Sequence, residues 1–203
     1  MKKVLITLLC AALIFGSLAV GVSAAGVTHT VVKGDTMWKI AVKYQVGLSE
    51  LKSANPHIKN PALIYPGDVI TIPVIDSAVS AYESEVVRLV NVERRKNGLS
   101  ELTHDWQLSR VARYKSQDMK NLGYFSHTSP TYGSPFNMMK NFGISYKTAG
   151  ENIAKGYSTP KQVVDAWMNS PGHRANILNS SFTEIGVGYV SSGNYWTQMF
   201  IRP

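Results

Sequence analysis

The only cysteine of the chain, Cys10, lies inside the apolar run from Val4 to Val20, so whatever folds beyond it must do so on packing alone, with no disulfide. Met1-Lys2-Lys3 ahead of that run and Val22-Ser23-Ala24-Ala25 behind it complete the pattern of a secretory leader over residues 1–25. The lysines orient the segment, the apolar body enters the bilayer, and the small residues suit cleavage after Ala24 or Ala25. An uncleaved anchor is the competing reading, because the run is nearly long enough to span. No later segment is, so membrane contact is expected only through the leader. A lipid-modified Cys10 would want a small residue before it, and Leu9 stands there. Small exported domains often rely on disulfides, but a unit of about 120 residues can bury a core without them.

The formal net charge is +8, and it stays positive once Lys2 and Lys3 are removed. Such a surplus favours a polyanionic partner. Nucleic acid is not expected, since the leader argues for export and no basic stripe interleaved with aromatics occurs. An anionic cell wall and plain solubility remain as readings.

Two units follow the leader. Residues 28–73 read as β-α-α-β. His29-Thr30-Val31-Val32 is β-rich, and Lys33-Gly34-Asp35-Thr36 turns and caps a helix carrying Met37, Ile40, Ala41 and Tyr44 at helical spacing. Trp38, one turn before Val42, reads as core. A second helix fits Ser49 to Ala54, capped by Ser49 and ended by Asn55-Pro56. Pro66-Gly67-Asp68 then turns into the strand Val69-Ile70-Thr71-Ile72. On TVVKGDTMWKIA, LKSANP and IYPGDVITIP the unit resembles a LysM module. The resemblance implies binding of N-acetylglucosamine polymers, chiefly peptidoglycan and chitin. Its groove would lie between Gly34, Asp35, Thr36 and Met37 on one side and Pro61, Ala62, Leu63 and Ile64 on the other. Tight-loop backbone groups suit acetamido groups; Met37 and Ile64 offer apolar contact, with core packing as their competing role. Residues 74–81 read as a short joint.

The second unit, residues 82–203, shows helical spacing over Ser84 to Asn97 and Asp105 to Leu122. Ser134-Pro135 and Thr159-Pro160 open further helices, and Glu184 to Val190 and Tyr195 to Ile201 alternate as strands. The whole is an α+β chain. Three segments punctuated by Gly, Ser or Pro carry ionisable groups: Tyr124-Phe125-Ser126-His127, Ala149-Gly150-Glu151-Asn152-Ile153, and Ser170-Pro171-Gly172-His173 running into Arg174-Ala175-Asn176-Ile177-Leu178. Loops on a rigid scaffold are common places for working residues. Alternatively, Glu151 and Asn152 hold a turn and His173 caps a short helix.

In this order, with EIGVGY and YWTQMF closing the chain, the segments resemble the CAP superfamily (cysteine-rich secretory protein, antigen 5, pathogenesis-related 1) from about Tyr82 to Pro203. The resemblance implies an α-β-α sandwich with a cleft where His127, Glu151 and His173 converge. An acidic residue often found three positions after the Trp is here Ser170, which removes one carboxylate from the cleft. Tyr124 and Asn176 are candidate lining residues, with packing or capping as their other role. Two imidazoles and a carboxylate could hold Zn²⁺ with a place for water, or Glu151 could tune an imidazole for acid–base work. No Ser or Cys stands in a nucleophile elbow.

The expected protein is thus exported and bacterial, given the lack of disulfides usual in animal and plant members. It would be held on peptidoglycan by the LysM module, in the vegetative wall or the spore cortex or coat, and would present a cleft for an unidentified ligand. The alternatives are a metal-assisted hydrolase of wall peptides or proteins, and a lipid carrier.

Overall fold

A computed structural model describes residues 26–203. The leader expected over 1–25, with Cys10, lies outside the described residues. Among the described residues no helix is long and apolar enough to cross a membrane.

The first unit pairs β1 (Thr28–Thr30) antiparallel with β2 (Val69–Thr71), with α1 (Met37–Lys43) and α2 (Leu48–Ser53) between them. Met37, Ile40, Ala41, Leu51, Ile70 and Ile72 form its core. Thr36 caps α1 by accepting the Lys39 N–H, as its position predicts. Trp38 departs from expectation: it is 52% exposed. One residue along a helix is a turn of about 100°, which carries Trp38 off the stripe made by Met37, Ile40 and Ala41. Nor does Ser49 cap α2. Gly47 takes the cap position without a side-chain bond, and the Ser49 hydroxyl donates to Glu50. Asn55 does more than end a helix. Buried, it donates to the carbonyls of Leu51 and Thr71 and accepts the Thr71 N–H, tying α2 to β2.

The second unit opens with α3, which runs Ser77–Lys96 rather than starting at Ser84. Asp76, inside the expected joint, accepts the N–H groups of Ala78 and Val79 and so starts the helix early. Next come β3 (Thr103–His104), α4 (Trp106–Leu122), α5 (Pro135–Asn141), β4 (Thr148–Lys155), α6 (Pro160–Met168), α7 (Pro171–Ile177), β5 (Glu184–Val190) and β6 (Tyr195–Arg202). The sheet order is β3-β5-β6-β4; β3 joins β5 in parallel, and the other pairs are antiparallel.

Helices cover both faces, as an α-β-α sandwich. On one face Leu108, Val111 and Ala112 of α4 and Met138 and Met139 of α5 pack with Met199 and Ile201. On the other, Val86 and Val90 of α3 and Val163 and Trp167 of α6 pack with Trp196 and Phe200. The two glycines of EIGVGY have a steric reason. A Cβ on Gly186 would sit 2.3 Å from the Ser109 nitrogen, and one on Gly188 2.1 Å from the Arg113 nitrogen, so α4 lies directly on the backbone of β5. The outer position of β4 is what matters for the site, because among the described residues one edge of that strand pairs with no other strand.

Candidate functional site

Three elements meet along the open edge of β4. The first is the loop after α4. Gly123 ends that helix in the left-handed conformation, φ 68°. Lys115, which helical spacing places in the inner stripe, is wholly buried. Its ammonium donates to the carbonyls of Ser126 and His127, both at 2.8 Å. Burial lowers its proton affinity, opposed by the charges of Glu151 and Asp118. Asp118 accepts hydroxyls from Tyr124 (2.6 Å), Ser129 (2.7 Å) and Thr131 (2.7 Å). The loop is therefore clamped from beneath by one cation and one anion of α4. Leu122, which the same helical spacing places inward, is exposed at the last position of α4.

The second element is β4. Glu151 is buried and accepts from His127 Nδ1 at 2.7 Å, while the His127 side chain stays 54% exposed. Burial raises the Glu151 carboxyl above its ordinary value, opposed by the His127 hydrogen bond and by Lys115. Its other oxygen, Oε2, is buried and finds no donor among the described residues. Asn152 points to the opposite face and is structural, donating to the His173 carbonyl and to Gln198. The outward carbonyls of Glu151 and Ile153 are capped by Asn176 Nδ2 (3.2 Å) and Trp167 Nε1 (3.3 Å), which blunts the strand edge.

The third element is α7. His173 lies in its first turn, and Ser170 occupies the N-cap without a side-chain cap bond. Burial, and then the neighbouring His127 charge, lower the proton affinity of His173. The histidines therefore face a common space from opposite walls. That space is a cleft of about 520 Å³, with His127 and Phe125 on one wall, Ser170 and His173 on the other, and Ile153 and Lys155 along the strand. Phe125, Lys155 and Tyr157 were not anticipated as lining residues. Lys155 is the last residue of β4, and Gly156, at φ 89°, turns the chain there so that Tyr157 also lines the cleft.

Glu151 does not join a metal's ligand set in this arrangement. Its Oε1 orients His127, as a carboxylate does behind a histidine. That leaves two imidazoles, short of the three protein ligands of a catalytic zinc site. Among the described residues no group of three His, Cys, Asp or Glu side chains is placed to hold a metal ion. The donor set does not fit the expected Zn²⁺ site.

In the first unit, Gly34 has φ 93° and Asp35 accepts both the Val32 N–H and His29 Nε2. Met37 is only 3% exposed, so its thioether is spent on packing. Ile64 packs partly buried on the same core, and Leu63 is 55% exposed. Pro61 is half-buried and Ala62 exposed, its N–H bonded to the Asn60 side chain.

Helices on both faces of a four-stranded sheet, with a histidine–carboxylate pair at its open edge, define the class. The model of the cysteine-rich secretory protein (CAP) family matches residues 87–200, and that of the LysM domain matches residues 29–73. The chain belongs to the CAP family and carries a LysM domain ahead of the CAP domain. It is 70% identical over 125 residues to "Uncharacterized protein YkwD" of Bacillus subtilis (strain 168), covering 62% of this chain and 49% of that one. It is 53% identical over 45 residues to "Spore coat assembly protein ExsA" of Bacillus cereus, covering 22% of this chain and 7% of that one. A solved extracellular protein containing a SCP domain from Bacillus anthracis str. Ames superposes with TM-score 0.60 at 34% identity, over 68% of this chain and 47% of that one. The chain thus spans less than half the length of these relatives.

Proposed function

We propose that this is an exported envelope protein that attaches to peptidoglycan through its LysM domain and holds the CAP cleft against the wall for a ligand. Its address is the bacterial wall or the spore envelope. The LysM domain supports attachment, the positive charge suits an anionic wall, and similarity to a protein named for spore coat assembly supports the spore address. The observation carrying the cleft reading is the His127–Glu151 bond at 2.7 Å, which fixes one of the two imidazoles that line a cleft of about 520 Å³. Glu151 holds the ring from behind, and the exposed His127 Nε2 would offer a polar contact to a ligand in the cleft.

Sedimentation with purified sacculi tests the attachment. Leu63→Asp places a charge in the proposed groove at an exposed position, so the fold is spared. The expected result is retention of the unaltered chain and at least about tenfold weaker retention of the variant, the cost of burying an unpaired charge. Equal retention of both would remove the LysM groove from the account.

A further inference from the structure

A second groove lies where the two domains meet. Arg110 of α4 donates Nε to Glu50 Oε1 at 2.6 Å and Nη2 to Glu50 Oε2 at 2.9 Å, and reaches Ser49 at 2.8 Å. Its guanidinium also lies 5.2 Å from the Phe142 ring centroid. This pair braces a cavity of about 440 Å³, with Trp38 and Ser49 on the LysM wall and Trp106, Gln107 and Phe142 on the CAP wall.

We propose that this groove is a second glycan subsite, in which Trp38 and Trp106 stack on the sugar rings of an N-acetylhexosamine polymer running on from the LysM groove. The proposal rests on the LysM reading and extends it to residues of the CAP domain. Three observations carry it. Trp38 leaves half its surface in water, and in the sequence it directly follows the Gly34–Met37 loop of the expected LysM groove. A tryptophan from each domain lines one cavity, and flat rings with apolar faces suit the C–H face of a pyranose. The groove's one strong cation, Arg110, is already matched by Glu50, so it recruits no acid. What remains for recognition is two indoles and the amide of Gln107, which fit a neutral, amide-bearing sugar.

The test uses the mature full-length chain with β-1,4-linked N-acetylglucosamine oligomers, from dimer to hexamer, in calorimetric titrations. Affinity should rise with oligomer length. Trp106→Ala should remove that rise, weakening the hexamer about tenfold and leaving the dimer unchanged. If Trp106→Ala and Trp38→Ala bind the hexamer as the unaltered chain does, the junction subsite is wrong and the LysM reading stands. If the unaltered chain binds no oligomer and no sacculi, the LysM reading fails and takes the subsite with it. Should a variant not fold, acrylamide quenching of the unaltered chain decides. Trp167 and Trp196 are buried, so quenching reports on Trp38 and Trp106. Bound hexamer must shield them; unchanged quenching overturns the proposal. So does shielding that rises with protein concentration in the absence of sugar, which would mean a second copy fills the groove.

Discussion

At the scale of single residues, the site depends on which nitrogen of His127 carries the proton. A bond from Nδ1 to a carboxylate selects the Nδ1–H tautomer of the neutral ring and leaves Nε2 as an acceptor facing the cleft. Long-range ¹H–¹⁵N spectra should report that tautomer as dominant. In Glu151→Ala the ring should revert to a mixture rich in Nε2–H; the same tautomer in both proteins would show that the carboxylate does not set it. The convergence of His127, Glu151 and His173 is implied by the CAP resemblance rather than by the punctuated segments themselves; His127 and His173 line one cleft, and Glu151 lies behind His127. The division of labour between Glu151 and Asn152 was legible only in part, since strand alternation sends neighbours to opposite faces but does not say which face holds the histidine. Lys115 was legible as inward by spacing, yet nothing in its neighbours announced carbonyls from a loop eleven residues on. The spacing of Trp38 to Val42 misleads because Val42 is itself exposed, so the two share an outer face of α1.

Among the elements, α3, α4 and β5 are locked by one buried polar cluster. Glu83 accepts from Arg113 Nε at 3.0 Å and from the Tyr189 N–H at 3.0 Å. Burial pushes the Glu83 carboxyl up from 4.5 to about 7, against the pull of Arg113. The folded protein then holds this proton more tightly than the unfolded chain does. Its contribution to stability is full below about 4.5 and is lost as pH rises through about 7. Glu83→Gln keeps an acceptor for Tyr189 and removes the titration. Thermal melts should show the Tm of the variant gaining on that of the parent between pH 4.5 and 8, and a constant difference would rule the account out. Helix starts at Pro135 and Pro160 followed from Ser-Pro and Thr-Pro. The start of α3 did not, because Asp76 was read as part of a joint although it is a capping residue. The outer place of β4 was invisible too, since strand order depends on long-range pairing rather than on local pattern.

Across the whole molecule, Arg110 and Glu50 join the domains. Burial alone would raise the Glu50 carboxyl, but hydrogen bonds from Arg110 and Ser49 outweigh it and hold it at about 2. This contribution is present above 4.5 and is lost as pH falls towards about 2. Arg110→Ala should cost about 1.5–3 kcal/mol and separate one calorimetric transition into two, the LysM domain melting first. A single unshifted transition would mean the ion pair does not couple the domains. The short strap from Ile72 to Asp76, ending directly in a capped helix, has a consequence for reach. A protein on a slack tether searches a sphere around its mooring, and the length of the leash sets how often it meets a target. Here there is almost no leash. On the proposed attachment, the bearing of the cleft relative to the wall polymer would be built in, so the orientation of that polymer, rather than its abundance, would govern what the histidines encounter.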